Sequence, residues 1–140
     1  IAYQMSNLFS ISNVLKELDF NPIITSDPST ILECSGAILP GVGSFSEAMK
    51  NIKRFSIDEA IKEFVLTEKP FMGICLGLQL LFEESEEFEN SEGMGIIEGK
   101  CSYFKNIEKI KTIPHVGWNA VKFNYVNNNN KQLTEGIQKK

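Results

Sequence analysis

A cysteine between two glycines is the clearest candidate for chemistry in this sequence. Residues 73–77 read Gly-Ile-Cys-Leu-Gly and lie between two apolar runs, residues 71–74 and 76–82. A G-x-C-x-G turn between a strand and a helix is the cysteine form of the nucleophile elbow, which raises one side chain above the carboxyl edge of a sheet. The helix N-terminus would favour the thiolate, and the glycines would let crowded backbones approach each other. We therefore expect Cys75 to be a nucleophile.

The alternative is a small buried cysteine that only packs, because free cysteine is among the most buried residue types. Two neighbouring features favour the nucleophile. Residues 40–43, Pro-Gly-Val-Gly, follow a predicted strand and precede a helix, so they fall on the same sheet edge as Cys75. Such a turn can aim a peptide N–H at an oxyanion, although it can also be an ordinary connection. Gln79 lies one helical turn after Cys75 on an apolar face, and if buried it needs a hydrogen-bond partner, from a polar substrate or from the protein itself.

The elements that must position these residues alternate between strand and helix signals. Asn7, Asp27 with Pro28, and a capping box at residues 56–59 mark helix starts. The apolar stripe Leu8, Ile11, Leu15 and Leu18 is interpreted as a core face. We predict strands at residues 1–3, 22–25, 37–39 and 71–74, with helices after Asn7, from residue 28 to about 34, and at 44–52, 57–66 and 76–82. This order predicts a parallel sheet covered on both faces.

The chain changes character after Phe82. Six glutamates follow within ten residues, and we interpret them as a solvated helix end and loop, since no histidine accompanies them as a metal ligand: Glu83, Glu84, Glu86, Glu87, Glu89 and Glu92. Strands of a more antiparallel region are predicted at residues 99–104 and 120–123.

Composition bounds the classes of function. The 140 residues, 42% of them hydrophobic, suffice for one globular domain. A net charge of −4 with scattered basic residues argues against a nucleic-acid partner. No apolar run is long enough to span a membrane, and no signal peptide is visible. Three widely spaced cysteines indicate a reducing compartment, by default the cytoplasm. The start at Ile1 leads us to expect a fragment.

The motifs together resemble a known family. Residues 73–79, the upstream Leu39-Pro-Gly-Val-Gly43 and the downstream Pro114-His-Val-Gly-Trp-Asn119 are similar to class I glutamine amidotransferases, in particular to the glutaminase subunit of imidazole glycerol phosphate synthase. The elbow marks the broad superfamily, and residues 114–119 point to this subunit. The resemblance implies an α/β fold, a flavodoxin-like three-layer sandwich with a mostly parallel sheet and an antiparallel C-terminal portion. It also implies one glutamine amidotransferase domain over residues 1–140, incomplete at both ends.

The resemblance assigns a role to each motif. Cys75 attacks the side-chain amide of glutamine, forms a thioester and releases ammonia, with no cofactor and no metal. The oxyanion and substrate are held around the following residues: Gly41, Val42, Gly43, Leu76 and Gln79. The ammonia passes to a cyclase subunit, a (β/α)₈ barrel bound as a heterodimer, for histidine biosynthesis. The face that meets this cyclase is carried by Pro114, His115, Trp118 and Asn119.

The sequence departs from the family pattern in three ways. The family's His-x-Glu pair is absent, and the only histidine, His115, belongs to the partner-facing motif, so we expect the chain to be inactive alone. Ala2 stands where the family has aspartate, and Gln4 and Ser6 replace two glycines. These changes resemble a paralogous branch that supplies ammonia to a sugar amidotransferase in surface-polysaccharide synthesis. Two other classes compete: a flavodoxin-like module that binds phosphate at residues 40–46, and a catalytically silent scaffold that only docks a partner.

Overall fold

The computed structural model describes residues 1–87, 90–104 and 118–120. The chain divides into two compact units, Ile1–Asn106 and Ile107–Lys140. All the helices and strands given below belong to the first unit. The expectation of a single domain stays a prediction.

Helices and strands alternate along the first unit. In chain order they are α1 Leu8–Glu17, α2 Pro28–Glu33, β1 Ala37–Gly41, α3 Phe45–Arg54, α4 Ile57–Leu66, β2 Phe71–Cys75, α5 Leu76–Gln79, β3 Phe82–Ser85, β4 Ser91–Glu92 and β5 Ile97–Cys101.

Two of the three predicted helix starts have the expected caps. The side chain of Asn7 accepts a hydrogen bond from Ser10 N (3.3 Å), and that of Asp27 accepts one from Thr30 N (2.8 Å). The capping box at Ser56 is wrong. Ser56 takes a left-handed conformation (φ 54°) and its side chain caps nothing, because this backbone geometry closes the turn after α3 instead.

The strands pair in two groups. β1 and β2 are parallel, and their register pairs Gly41 with Cys75. β3 is antiparallel to β4 and parallel to β5. The alternation of helix and strand and the parallel pairing confirm the predicted α/β class and are consistent with a flavodoxin-like fold. The consequence for the site is that the ends of β1 and β2 meet at one edge.

Several predicted strands are displaced or absent. Residues 1–3 and 22–25 are not strands, because they make single hydrogen bonds rather than ladders: the amino group of Ile1 donates to Ile38 O (2.8 Å), and Ala2 N donates to Thr25 O (2.7 Å). The strand predicted at 99–104 is β5, which begins and ends earlier. Of the strand predicted at 120–123, Ala120 is outside any strand and the rest lies outside the described residues.

The helix predicted over residues 76–82 ends at Gln79, and Phe82 already begins β3. The glutamates that follow are therefore not a helix end, since Glu83 and Glu84 lie in β3 and Glu92 lies in β4. Pairing with β5 explains the difference: long-range strand pairing overrides a helical apolar pattern.

The core combines the buried faces of α3 and α4 with side chains from the N-terminal segment, α2, β1 and α5. α3 and α4 bury one face each, through the following side chains: Phe45, Ala48, Met49, Ile52, Ile57, Ala60, Ile61 and Phe64. The stripe on α1 is not a core face. Leu8, Ile11 and Leu15 are only half-buried, Leu18 just after the helix is 61% exposed, and none of the four belongs to the core cluster.

β2 is not covered on both faces within the described part of the chain. Its side chains Met72 and Ile74 are 50% and 37% exposed.

None of the helices in the described part of the chain has the length and hydropathy that a membrane span requires.

Candidate active site

Cys75 lies where β2 passes directly into α5. It is the residue immediately before α5, and its side chain is exposed. Its backbone has φ 55° and ψ −119°, a conformation that non-glycine residues rarely adopt. Strained residues of this kind cluster at active sites. The turn thus has the geometry predicted for a nucleophile elbow.

The two flanking glycines are required by close backbone contacts. A Cβ on Gly73 would lie 2.7 Å from Leu78 Cα, and one on Gly77 would collide with the carbonyl of Leu39 in β1. Any side chain at these positions would push α5 away from both strands. The glycines therefore hold the elbow against the sheet, as the sequence predicts.

The loop at residues 40–43 is on the predicted edge. Gly41 ends β1 beside Cys75, and Gly43 has φ 100°, which suits glycine. Between them, Val42 donates its backbone N–H to Met5 O (2.9 Å). In this conformation the Val42 N–H is therefore already hydrogen-bonded to the N-terminal segment. The sequence carries no signal for this hydrogen bond.

Gln79 corrects one prediction. It is exposed rather than buried, because α5 is only one turn long and ends before a neighbouring element covers that side. Leu76, the first residue of α5, is buried with its side chain in the core. Its backbone N–H belongs to the first turn of a helix, where amides lack intrahelical acceptors.

Two residues near the site carry no sequence signal. Glu87 Oε2 accepts a hydrogen bond from Phe45 N (2.6 Å), the first amide of α3 after the loop at residues 40–43. Ser44, at the usual capping position, makes no side-chain cap. Tyr3 is fully buried in the core, and a Cβ on Gly41 would collide with its hydroxyl. Glu87 is one of six glutamates in an acidic run, and Tyr3 lies in the N-terminal segment. Residue type alone therefore identifies neither of them as a neighbour of the site.

The three cysteines are free thiols with different surroundings. Cys34, the residue after α2, donates its thiol to Thr30 O (3.2 Å). Burial, and secondly the charge of Glu87, raise the pKa of the Cys101 thiol. Of the three cysteines, only Cys75 is both exposed and placed at a strained turn.

The predicted partner-facing motif is described only in part. Trp118 and Asn119 are exposed, whereas Pro114 and His115 lie outside the described residues. In the part of the chain that the structure describes, no group of three or more His, Cys, Asp or Glu side chains could hold a metal ion.

Comparison with known proteins identifies the family. Residues 2–140 match the model of the family described as Glutamine amidotransferase class-I. The chain is 45% identical over 123 residues to the Imidazole glycerol phosphate synthase subunit HisH of Sulfurimonas denitrificans, covering 86% of this chain and 59% of that protein. It is 47% identical over 123 residues to the HisH subunit of Prochlorococcus marinus, covering 87% of this chain and 57% of the relative.

A third relative is archaeal. The subunit HisH 1 of Methanococcus maripaludis is 45% identical over 124 residues, which cover 86% of this chain and 60% of that protein. The chain thus spans between 57% and 60% of the length of these relatives. Because the family model matches nearly the whole chain, the protein belongs to the class-I glutamine amidotransferase family.

Proposed function

We propose that this protein acts as the glutaminase subunit of an imidazole glycerol phosphate synthase, in histidine biosynthesis. The observation that carries the proposal is Cys75, exposed on a strained turn at the edge where β1 and β2 end. The support from relatives is that the proteins of 45–47% identity are named as HisH subunits of this synthase.

The proposed reaction has two steps. Cys75 Sγ attacks the side-chain amide carbon of glutamine and forms a thioester as the C–N bond breaks. The departing nitrogen takes up the proton that the thiol released and leaves as ammonia. Water then attacks the thioester, which frees glutamate and restores the thiol. Covalent catalysis of this kind divides one difficult displacement into two easier ones.

The oxyanion of each tetrahedral intermediate needs two or more backbone donors near Sγ. Leu76 N–H, at the start of α5, is one candidate, and the peptide around Gly41, Val42 and Gly43 supplies another. Since Val42 N–H is bonded to Met5 O, it joins the oxyanion site only after that hydrogen bond breaks. Gln79, exposed one turn after Cys75, is free to hold the polar end of the substrate.

The ammonia is proposed to pass to a (β/α)₈ cyclase that binds the motif of Pro114, His115, Trp118 and Asn119, of which Trp118 and Asn119 are exposed. Exposed tryptophan is enriched at binding hot spots. The free thiols of Cys34, Cys75 and Cys101 fit a reducing compartment, so we place this complex in the cytoplasm.

A second candidate is the paralogous branch that supplies a sugar amidotransferase, which the residues Ala2, Gln4 and Ser6 resemble. Gln4 has φ 70°, a backbone conformation that suits glycine better than glutamine. The acceptor therefore has to be tested together with the glutaminase.

The test measures glutamate release from glutamine by the protein extended to the length of its HisH relatives, mixed with the cyclase subunit and its ribulosyl nucleotide ligand. We expect turnover that requires Cys75, with ammonia delivered to the cyclase product. Cys75→Ala should remove the glutaminase activity, while added ammonium salt should still support the cyclase. Glutamate release that survives Cys75→Ala would refute the proposal. Glutamate release without cyclase product would favour the paralogous function.

A further inference from the structure

The hydroxyl of Tyr3 is an unexplained polar group beside the candidate nucleophile. The side chain is completely buried and belongs to the hydrophobic core. Its oxygen is buried and has no hydrogen-bond partner among the described residues. Buried side-chain donors are nearly always paired, so an exception calls for an explanation.

The contacts of Gly41 locate this hydroxyl at the base of the elbow. A Cβ built on Gly41 would meet the Tyr3 hydroxyl first, then Gly77 N at 2.7 Å and Leu76 Cβ at 2.9 Å. Gly41 is the register partner of Cys75, and Leu76 and Gly77 are the two residues that follow it. The hydroxyl therefore lies close to the backbone that follows the cysteine.

Electrostatics agree with this placement. Burial, and secondly the negative charge of Cys75, raise the pKa of Tyr3 above its usual value. The phenol consequently keeps its proton at any pH at which a thiol ionises. The protonated phenol is a hydrogen-bond donor in a fixed position, and the charge that contributes to its raised pKa is that of Cys75.

We propose that the Tyr3 hydroxyl is the hydrogen-bond donor to the Cys75 thiolate. The thiol proton leaves to solvent or to a base, and Tyr3 retains its own proton throughout. The Cys75 side chain is exposed, and the proposed hydrogen bond requires a χ1 rotamer that turns Sγ towards the hydroxyl. A charge-assisted hydrogen bond then stabilises the nucleophilic form and pairs the buried hydroxyl. The inference rests on the proposed role of Cys75 as nucleophile.

The test compares the wild type with Tyr3→Phe, which removes only the hydroxyl. The rate of iodoacetamide alkylation is measured at each cysteine by mass spectrometry, from mildly acidic to alkaline pH. We expect the midpoint of the Cys75 profile to move to higher pH and its rate at neutral pH to fall about three- to tenfold. The rates at Cys34 and Cys101 should stay unchanged. The thermal midpoint should not fall, because the buried hydroxyl has no structural partner to lose.

Tyr103→Phe is the matched control and should leave the Cys75 profile unchanged. An unaltered Cys75 profile in Tyr3→Phe would overturn the proposal. So would a loss of thermal midpoint with equal changes at all three cysteines, since the hydroxyl would then be structural. Alkylation needs no glutamine, so the two proposals can fail separately. A Cys75 shift, together with no glutaminase activity in the full-length protein mixed with its cyclase, would refute the proposed function and leave this inference intact.

Discussion

At the scale of single residues, the strain at Cys75 and the packing of its neighbours depend on each other. A positive φ at a non-glycine residue costs on the order of 1–3 kcal/mol and persists only where the surroundings enforce it. The surroundings here are the close approaches of Gly73 to Leu78 and of Gly77 to Leu39. These approaches fix α5 against both strands and so keep the thiol exposed.

Gly77→Ala tests this dependence. The new methyl group would collide with the Leu39 carbonyl, so we expect a loss of about 1–3 kcal/mol in the free energy of unfolding, as in other overpacked sites. The measurement is urea denaturation. Gly36→Ala is the control, because a Cβ there would meet only ordinary contacts, with Pro70 O at 3.4 Å. Equal and small effects of both substitutions would show that the elbow does not depend on Gly77.

The sequence anticipates the centre of the site better than its surroundings. The G-x-C-x-G pattern predicts the turn at Cys75 because the pattern and the backbone geometry have one local cause. The backbone hydrogen bond between Val42 N and Met5 O joins residues far apart in sequence, and the type of neither residue predicts it. The burial predicted for Gln79 is wrong because burial depends on neighbouring elements, and the spacing of residues within one helix does not show where those elements lie.

At the scale of elements, α3 begins immediately after the loop at residues 40–43 and is capped from outside. Its first amide, Phe45 N, donates to Glu87 Oε2 rather than to Ser44. The amide of Glu87 in turn donates to Ser85 Oγ (3.2 Å), at the end of β3. The capping carboxylate therefore ties the end of β3 to the start of α3.

Glu87→Ala should destabilise the protein by about 1 kcal/mol, the usual cost of a lost N-terminal cap. The measurement is the free energy of unfolding in urea. Glu84→Ala is the control, since Glu84 is an exposed residue of the same acidic run and should change stability less. If Glu84→Ala costs as much as Glu87→Ala, the cap on α3 contributes nothing specific.

Elements with local signals were predictable, and elements defined by pairing were not. α2, α3, α4 and β1 lie close to their predicted positions. The cap at Asp27 and the proline at Pro28 act within α2, and apolar spacing acts within the other three segments. β3 was assigned to a helix and loop, since its pairing with β5 depends on residues about fifteen positions away. The apolar stripe of α1 forms a helix as predicted, but a stripe does not reveal whether another element will cover it.

At the scale of the whole molecule, Trp118 is a fully exposed tryptophan in the motif proposed to meet the cyclase. Its indole makes a large apolar surface available to a partner at low entropic cost. Removing it should affect binding and leave folding unchanged.

Trp118→Ala should weaken the complex with the cyclase by roughly 2 kcal/mol or more, about thirtyfold in Kd. Titration calorimetry measures the binding, and the thermal midpoint reports the fold. Phe9→Ala removes another exposed aromatic side chain, one outside the motif, and should leave the affinity unchanged. A lower thermal midpoint with unaltered affinity would show that Trp118 has a structural role instead.

The central claim is that Cys75 is the nucleophile of a glutamine site. The direct measurement uses an analogue of L-glutamine in which a chloromethyl ketone replaces the side-chain amide, followed by mass-spectrometric mapping of the adduct. The account predicts one adduct, on Cys75, that L-glutamine suppresses, D-glutamine does not, and Cys75→Ser abolishes. Labelling of Cys34 or Cys101 in preference to Cys75, or labelling of Cys75 that L-glutamine leaves unchanged, would contradict it.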